Sequence, residues 1–223
     1  MKRILFFFSV LTLFFISTNF QCNRPLPTII KIACVGNSIT YGAGITNRES
    51  KSYPYQLDSI LGKDNFDVRN YGVSGCTLLK NGDKPYWNRQ EFLDAQSFAP
   101  NIVIIKLGSN DSKPQNWKFK SEYITNYVEM IRIFQALPSK PIVYICYPAP
   151  AYQTKWGIND TVIRKEMIPL IKKIANETNV KIVDMYKALS DKEEMFPDKI
   201  HPDANGALVM AKTIAKELGK LIK

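Results

Sequence analysis

Five short runs rich in apolar and β-branched residues recur along the chain, at 29–35 (IIKIACV), 66–71 (FDVRNY), 102–107 (IVIIKL), 141–147 (PIVYICY) and 180–185 (VKIVDM). The third and fourth are almost continuously apolar, as strands covered on both faces are. Helical patterns lie between them. A short one spans 53–61, and 119–137 places Tyr123, Tyr127, Ile131 and Phe134 at spacings of three and four. Residues 160–178 repeat that spacing, with Asp160 as the expected N-cap and Pro169 predicting a kink or a shorter helix. A last helix is expected over 204–222, with Leu208, Ala211, Ile214, Ala215 and Leu218 on one face. Strands alternating with helices predict an α/β fold, a parallel sheet with helices on both sides.

The first 28 residues do not fit that alternation. Lys2 and Arg3 precede an uncharged apolar run over 4–16, and a polar stretch then leads to Cys22. A basic start, an apolar run and a polar exit describe an export signal. The run has 13 residues, short of the roughly 18 that span a bilayer as a helix. Cys22 directly after it resembles the lipidated cysteine of a bacterial lipoprotein, although Asn19, Phe20 and Gln21 depart from the usual small residues there. The expected organisation is a leader over 1–21, a tether over 22–28 and one domain over 29–223, exported and held at the bacterial cell envelope through Cys22. A cleaved soluble form with unmodified Cys22 is the alternative.

Composition narrows the chemistry. The chain is 45% hydrophobic and 22% charged, which excludes a disordered chain. Lysine and arginine number 30 against 20 acids, a net charge of +10. The lysines are scattered, and Lys212, Lys216 and Lys220 form an i, i+4 row suited to a solvated face, so no nucleic-acid partner is expected. Cys34, Cys76 and Cys146 show no CxxC spacing and read as thiols, with Cys34 and Cys146 inside apolar runs. His201 is the one histidine. A multi-histidine metal site is therefore excluded, and any imidazole catalysis runs through His201.

In parallel sheets the working residues collect past the C-terminal strand ends. There the chain carries Gly36-Asn37-Ser38-Ile39-Thr40, Gly72-Val73-Ser74-Gly75-Cys76 and Gly108-Ser109-Asn110-Asp111. His201 stands in Asp198-Lys199-Ile200-His201-Pro202, just before the last helix. These are the parts of an acyl-transfer site. Ser38 is the candidate nucleophile and His201 its base. Asp198, three residues earlier, can orient the imidazole. The Ser38 and Gly75 N–H groups and the Asn110 amide can hold an oxyanion. Asp184 is a weaker rival for Asp198, and Asp111 reads as a cap or loop anchor.

These four segments, with Asn70-Tyr71 leading into the second, resemble the four sequence blocks of the SGNH (GDSL) hydrolase family, in that family's order. The resemblance implies a flavodoxin-like three-layer α/β/α sandwich with a five-stranded sheet of order 2-1-3-4-5. By block position, Ser38 is similar to the family's nucleophile, Gly75 and Asn110 to its oxyanion donors, and Asp198 and His201 to its acid and base. No metal or other cofactor is implied. Asn37 departs from the Asp usual there, which bears on local charge rather than on the triad.

The substrate is less constrained. Tyr86, Trp87, Trp117, Tyr152 and Trp156 lie in loops beyond the strands and suit sugar faces, unless they simply cover those loops. Export and these rings favour a carbohydrate O-acetylesterase, of the xylan or sialic-acid type. A lysophospholipase or acyl-thioesterase is the alternative enzyme, and a surface glycan-binding protein the non-enzymatic one.

Overall fold

The structure is a computed structural model and describes residues 29–220. The expected leader, the tether and Cys22 lie outside the described residues. Five parallel strands form one sheet: β1 (Ile30–Gly36), β2 (Phe66–Gly72), β3 (Ile102–Lys106), β4 (Ile142–Cys146) and β5 (Lys181–Val183). Their order is β2-β1-β3-β4-β5, the order expected, and helices cover both faces. Cys34 pairs with Asn70 on one side and with Ile104 on the other.

Side chains alternate between the faces because strand geometry has a period of two. Ala33, Val35, Val103, Ile105, Val143 and Ile145 pack with the helices Gln90–Ser97, Tyr123–Gln135 and Ile168–Thr178. Ile32, Cys34, Ile104, Tyr144 and Cys146 pack with Tyr53–Leu61 and Ala204–Leu218. Burial of each Val or Ile among them contributes about 1.5–3 kcal/mol. Cys34, Cys76 and Cys146 are buried free thiols.

Local departures have local causes. Gln90–Ser97 buries only Phe92 and Ala95, too few apolar residues for its sequence to signal a helix. The segment expected as one helix over 160–178 is three: Asp160–Val162, a π-helical turn over Ile163–Met167, and Ile168–Thr178. Pro169 cannot donate to the carbonyl four residues back and crowds it, and the wider π turn just before it accommodates the mismatch. The N-cap is Asn159, which accepts from Thr161 N and Val162 N. Asp160 instead accepts from Ala151 N and the Tyr186 hydroxyl.

Close approach of β2 to the helix Ser38–Tyr41 depends on Gly72. A Cβ there would lie 2.2 Å from the Tyr41 backbone nitrogen. Only hydrogen fits, so the turn carrying Ser38 can press against the end of the neighbouring strand.

Candidate active site

Ser38 opens the four-residue helix Ser38–Tyr41 directly after β1, and the Asn37 side chain caps that helix by accepting from Ile39 N at 3.2 Å. Asn70, at the end of β2, braces the same helix by donating its amide to the Thr40 carbonyl at 2.8 Å. The serine hydroxyl is thus held at the C-terminal edge of the sheet.

The loop before Ala204–Leu218 brings His201 to it. His201 Nε2 lies 2.8 Å from Ser38 Oγ. Its Nδ1 lies 2.7 Å from Asp198 Oδ2. The other Asp198 oxygen accepts from the His201 and Ile200 backbone N–H groups, at 2.6 and 2.9 Å. Partial burial pushes the Asp198 carboxyl up, but the His201 N–H, its ring and the Ile200 N–H outweigh that and hold it below the usual carboxylate value. It is therefore an anion at neutral pH, placed to keep a proton on Nδ1 and leave Nε2 as acceptor. Asp184 plays no part here, because it caps Met185–Leu189 by accepting from Lys187 N.

Two further strand-end loops complete the site. Residues 73–76 form a turn in which Cys76 N donates to the Val73 carbonyl at 3.3 Å, with Gly75 at φ +83°. A positive φ at the third residue of a four-residue turn is the type II signature, and it favours glycine there. Asn110 is almost fully buried and donates one amide hydrogen to the Cys76 carbonyl at 3.1 Å. That leaves its second hydrogen for a ligand. Asp111 anchors the loop after this turn, accepting from Leu78 N and Leu79 N at 3.0 and 2.7 Å. Burial raises its carboxyl to about 6 against those two hydrogen bonds.

Ser38, Gly75, Asn110 and His201 share one pocket of about 270 Å³ with Ala43, Ser74, Lys113, Trp156 and Ile158. A larger depression of about 790 Å³ lies along the β2 edge among Asp58, Asp67, Arg69 and Phe98. It holds none of the triad.

The expected aromatic lining is mostly corrected. Trp156 is 56% exposed, and its ring lies 5.5 Å from the His201 ring. A tight turn puts it there, with Trp156 and Gly157 at φ +52° and +81° and Ile158 N donating to Lys155 O. Tyr86 is fully buried with its hydroxyl on the Tyr71 carbonyl. Trp87 packs on the core and donates to the Leu78 carbonyl. Trp117 is buried and donates to Glu166. Tyr152 packs edge-to-face on Phe196 and donates to the Leu189 carbonyl. Their polar ends find partners inside the protein, so these four rings are structural. Lys113, Ser74, Ala43 and Ile158 line the pocket without having been singled out. Ser74 had a signal, inside the strand-end segment beside Gly75, and so did Lys113, three residues after Asn110.

Sheet order and site together define a serine-hydrolase centre of the flavodoxin-like type. The model of the GDSL-like lipase/acylhydrolase family matches residues 34–209, and the chain belongs to that family. An acetylxylan esterase of Xylanibacter ruminicola is 40% identical over 209 residues, which is 86% of this chain and 43% of that protein. The chain thus spans less than half the length of that relative. Among solved structures, Est24, a carbohydrate acetylesterase from Sinorhizobium meliloti, superposes with a TM-score of 0.70 at 18% identity, covering 86% of this chain and 99% of the other. A two-domain esterase active on acetylated mannans gives 0.64 at 23% identity, covering 86% and 50%. These two likenesses speak to the fold.

Proposed function

We propose that the protein is a serine esterase that removes acetyl groups from carbohydrates. The observation that carries this is the relay from Asp198 through His201 to Ser38, with contacts of 2.7 and 2.8 Å. His201 Nε2 takes the Ser38 proton as Oγ attacks the ester carbonyl. The Ser38 and Gly75 N–H groups and the free Asn110 amide hydrogen receive the developing oxyanion. Each such donor contributes about 3–4 kcal/mol to the transition state. The sugar hydroxyl departs with the proton from His201. Water, activated by the same imidazole, then releases acetate.

The size of the pocket supports a short acyl group. Its apolar lining is Ala43, Ile158 and Trp156, too little to cover a fatty chain. The exposed Trp156 ring beside His201 offers a face for the sugar that carries the ester. The acetylxylan esterase relative and the carbohydrate acetylesterase neighbours support the same reading. Export and lipidation at Cys22 would put the enzyme where polymeric glycans are met.

The test is hydrolysis of p-nitrophenyl esters of increasing chain length by wild type, Ser38→Ala and His201→Ala. Acetate should be the best substrate, and both variants should lose at least about 10³-fold in kcat. Wild-type rates in either variant, or a steep rise toward long chains, would refute the proposal.

A further inference from the structure

The 73–76 turn supplies an oxyanion donor only if its central peptide points the right way. Type I and type II turns differ by a flip of that peptide, here the one joining Ser74 to Gly75. A flip exchanges the Ser74 carbonyl and the Gly75 N–H, because the two point in opposite directions across a trans peptide. A carbonyl turned into the pocket would repel an oxyanion. A short loop with glycine in its centre has little intrinsic reason to resist the change.

One side chain outside the catalytic set acts on this peptide. Lys84 Nζ donates to the Ser74 carbonyl at 2.8 Å. Its stem runs along the glycine, so that a Cβ on Gly75 would lie 3.4 Å from Lys84 Cδ. The Gly75 N–H donates to no protein acceptor among the described residues. No carboxylate pairs with the Lys84 ammonium among the described residues.

Lys84 is itself well anchored. Its carbonyl accepts from Thr77 N at 2.9 Å, and Tyr86 N donates back to the Thr77 carbonyl at 3.0 Å. The preceding residue, Asp83, accepts from the Asn116 amide, which also donates to the Asn110 carbonyl at 2.8 Å. One hydrogen-bonded frame therefore supports both the Asn110 donor and the lysine beside the turn.

We propose that Lys84 is a positioning residue for the oxyanion site, whose ammonium on the Ser74 carbonyl locks the Ser74–Gly75 peptide with the Gly75 N–H turned into the pocket. The cation also polarises that peptide, making its N–H a stronger donor. It adds a positive charge behind the point where negative charge develops. The inference rests on the esterase reading, in which Gly75 is an oxyanion donor.

The experiment measures kcat and KM on p-nitrophenyl acetate for wild type, Ser38→Ala, Lys84→Met and Lys84→Arg, with a melting curve for each. Lys84→Met keeps the stem and loses the donor. It should lower kcat about 10- to 100-fold, part of what loss of a whole oxyanion donor costs, with KM within about twofold. Lys84→Arg restores a charged donor and should stay within about threefold of wild type. Lys84→Met at wild-type kcat would overturn the inference while leaving the esterase reading intact. So would a Lys84→Arg variant that falls as far as Lys84→Met. Undiminished rate in Ser38→Ala would instead overturn the esterase reading, and the role of Lys84 with it. Should Lys84→Met fail to fold, Lys84→Leu, which likewise has no donor, carries the same expectations.

Discussion

Lys106 ends β3 with its side chain fully buried, on the same face of the sheet as Ile104. Its Nζ has one hydrogen-bond partner, Asn37 Oδ1 at 3.5 Å. Burial drives this ammonium down to about 7, with nearby Cys146 opposing the shift. In the unfolded chain the same amine titrates near 10.5. Between those values the unfolded chain binds a proton that the folded chain gives up. Stability therefore rises with pH from about 7 to 10.5, and this contribution is lost as pH falls back through that window. A displacement of this size, at about 1.4 kcal/mol per unit, costs about 5 kcal/mol well below neutral pH and about 4 kcal/mol at pH 7, where the folded group is half-protonated. Lys106→Met keeps the stem and removes the charge, giving up one hydrogen bond of about 1 kcal/mol. The variant should be about 3 kcal/mol more stable than wild type at pH 7, with the difference shrinking below about 1 kcal/mol by pH 10. Urea unfolding at pH 7, 8, 9 and 10, followed by tryptophan fluorescence, measures it. The other buried thiols and tyrosines also titrate at the alkaline end, but they are common to both proteins and cancel in the difference; Cys146, which the Lys106 charge lowers, is pushed further up in the variant. A gap that does not change with pH, or a variant less stable than wild type at pH 7, would refute the reasoning.

Other outcomes follow from the same geometry. Asn37→Asp should let Lys106 keep its proton at neutral pH, because it places a carboxylate where the amide oxygen now accepts from Nζ; NMR titration of the lysine side chain reads this, and esterase activity should survive. Asp198→Asn should lower kcat by about 10⁴ with little change in KM, since the imidazole loses its orienting anion. It should also remove an acid-side stability term, because the Asp198 carboxyl is held below its free value of 3.8, so its contribution is present above that value and lost as pH falls below it. Trp156→Ala should raise KM about 10-fold for an acetylated oligosaccharide, the equivalent of about 1.4 kcal/mol of stacking, and leave p-nitrophenyl acetate within about threefold. Radioactive palmitate should label wild type and not Cys22→Ala in a bacterial host.

The grouping of Ser38, Asp198 and His201 was legible because its members are rare residue types at predictable places. Strand ends in a parallel sheet are loops, and a loop holding Gly, Ser and Asn beside an apolar strand stands out. The single histidine removed all competition for the base. The strand order came from the resemblance of the four blocks to a known family. What escaped depends on where side chains point. Five loop aromatics suited sugars equally well, and only the turn at Trp156 and Gly157 decides which ring faces the pocket. Lys106 reads as the polar end of an apolar run, although it continues the buried face of β3. Lys84 contacts a carbonyl ten residues away through a loop of irregular path, which no periodicity encodes. Asn159 took the capping role expected of Asp160, because Asp160 was already engaged by Ala151 and Tyr186.

The central claim is that Ser38 carries the acyl group in turnover. Acid quenching during hydrolysis of p-nitrophenyl acetate, followed by proteolysis and mass spectrometry, tests it most directly. One acetyl group should appear on the peptide containing Ser38, and its yield should fall to background in Ser38→Ala. Turnover by wild type with the acetyl group on another residue, or steady turnover by Ser38→Ala, would contradict the account.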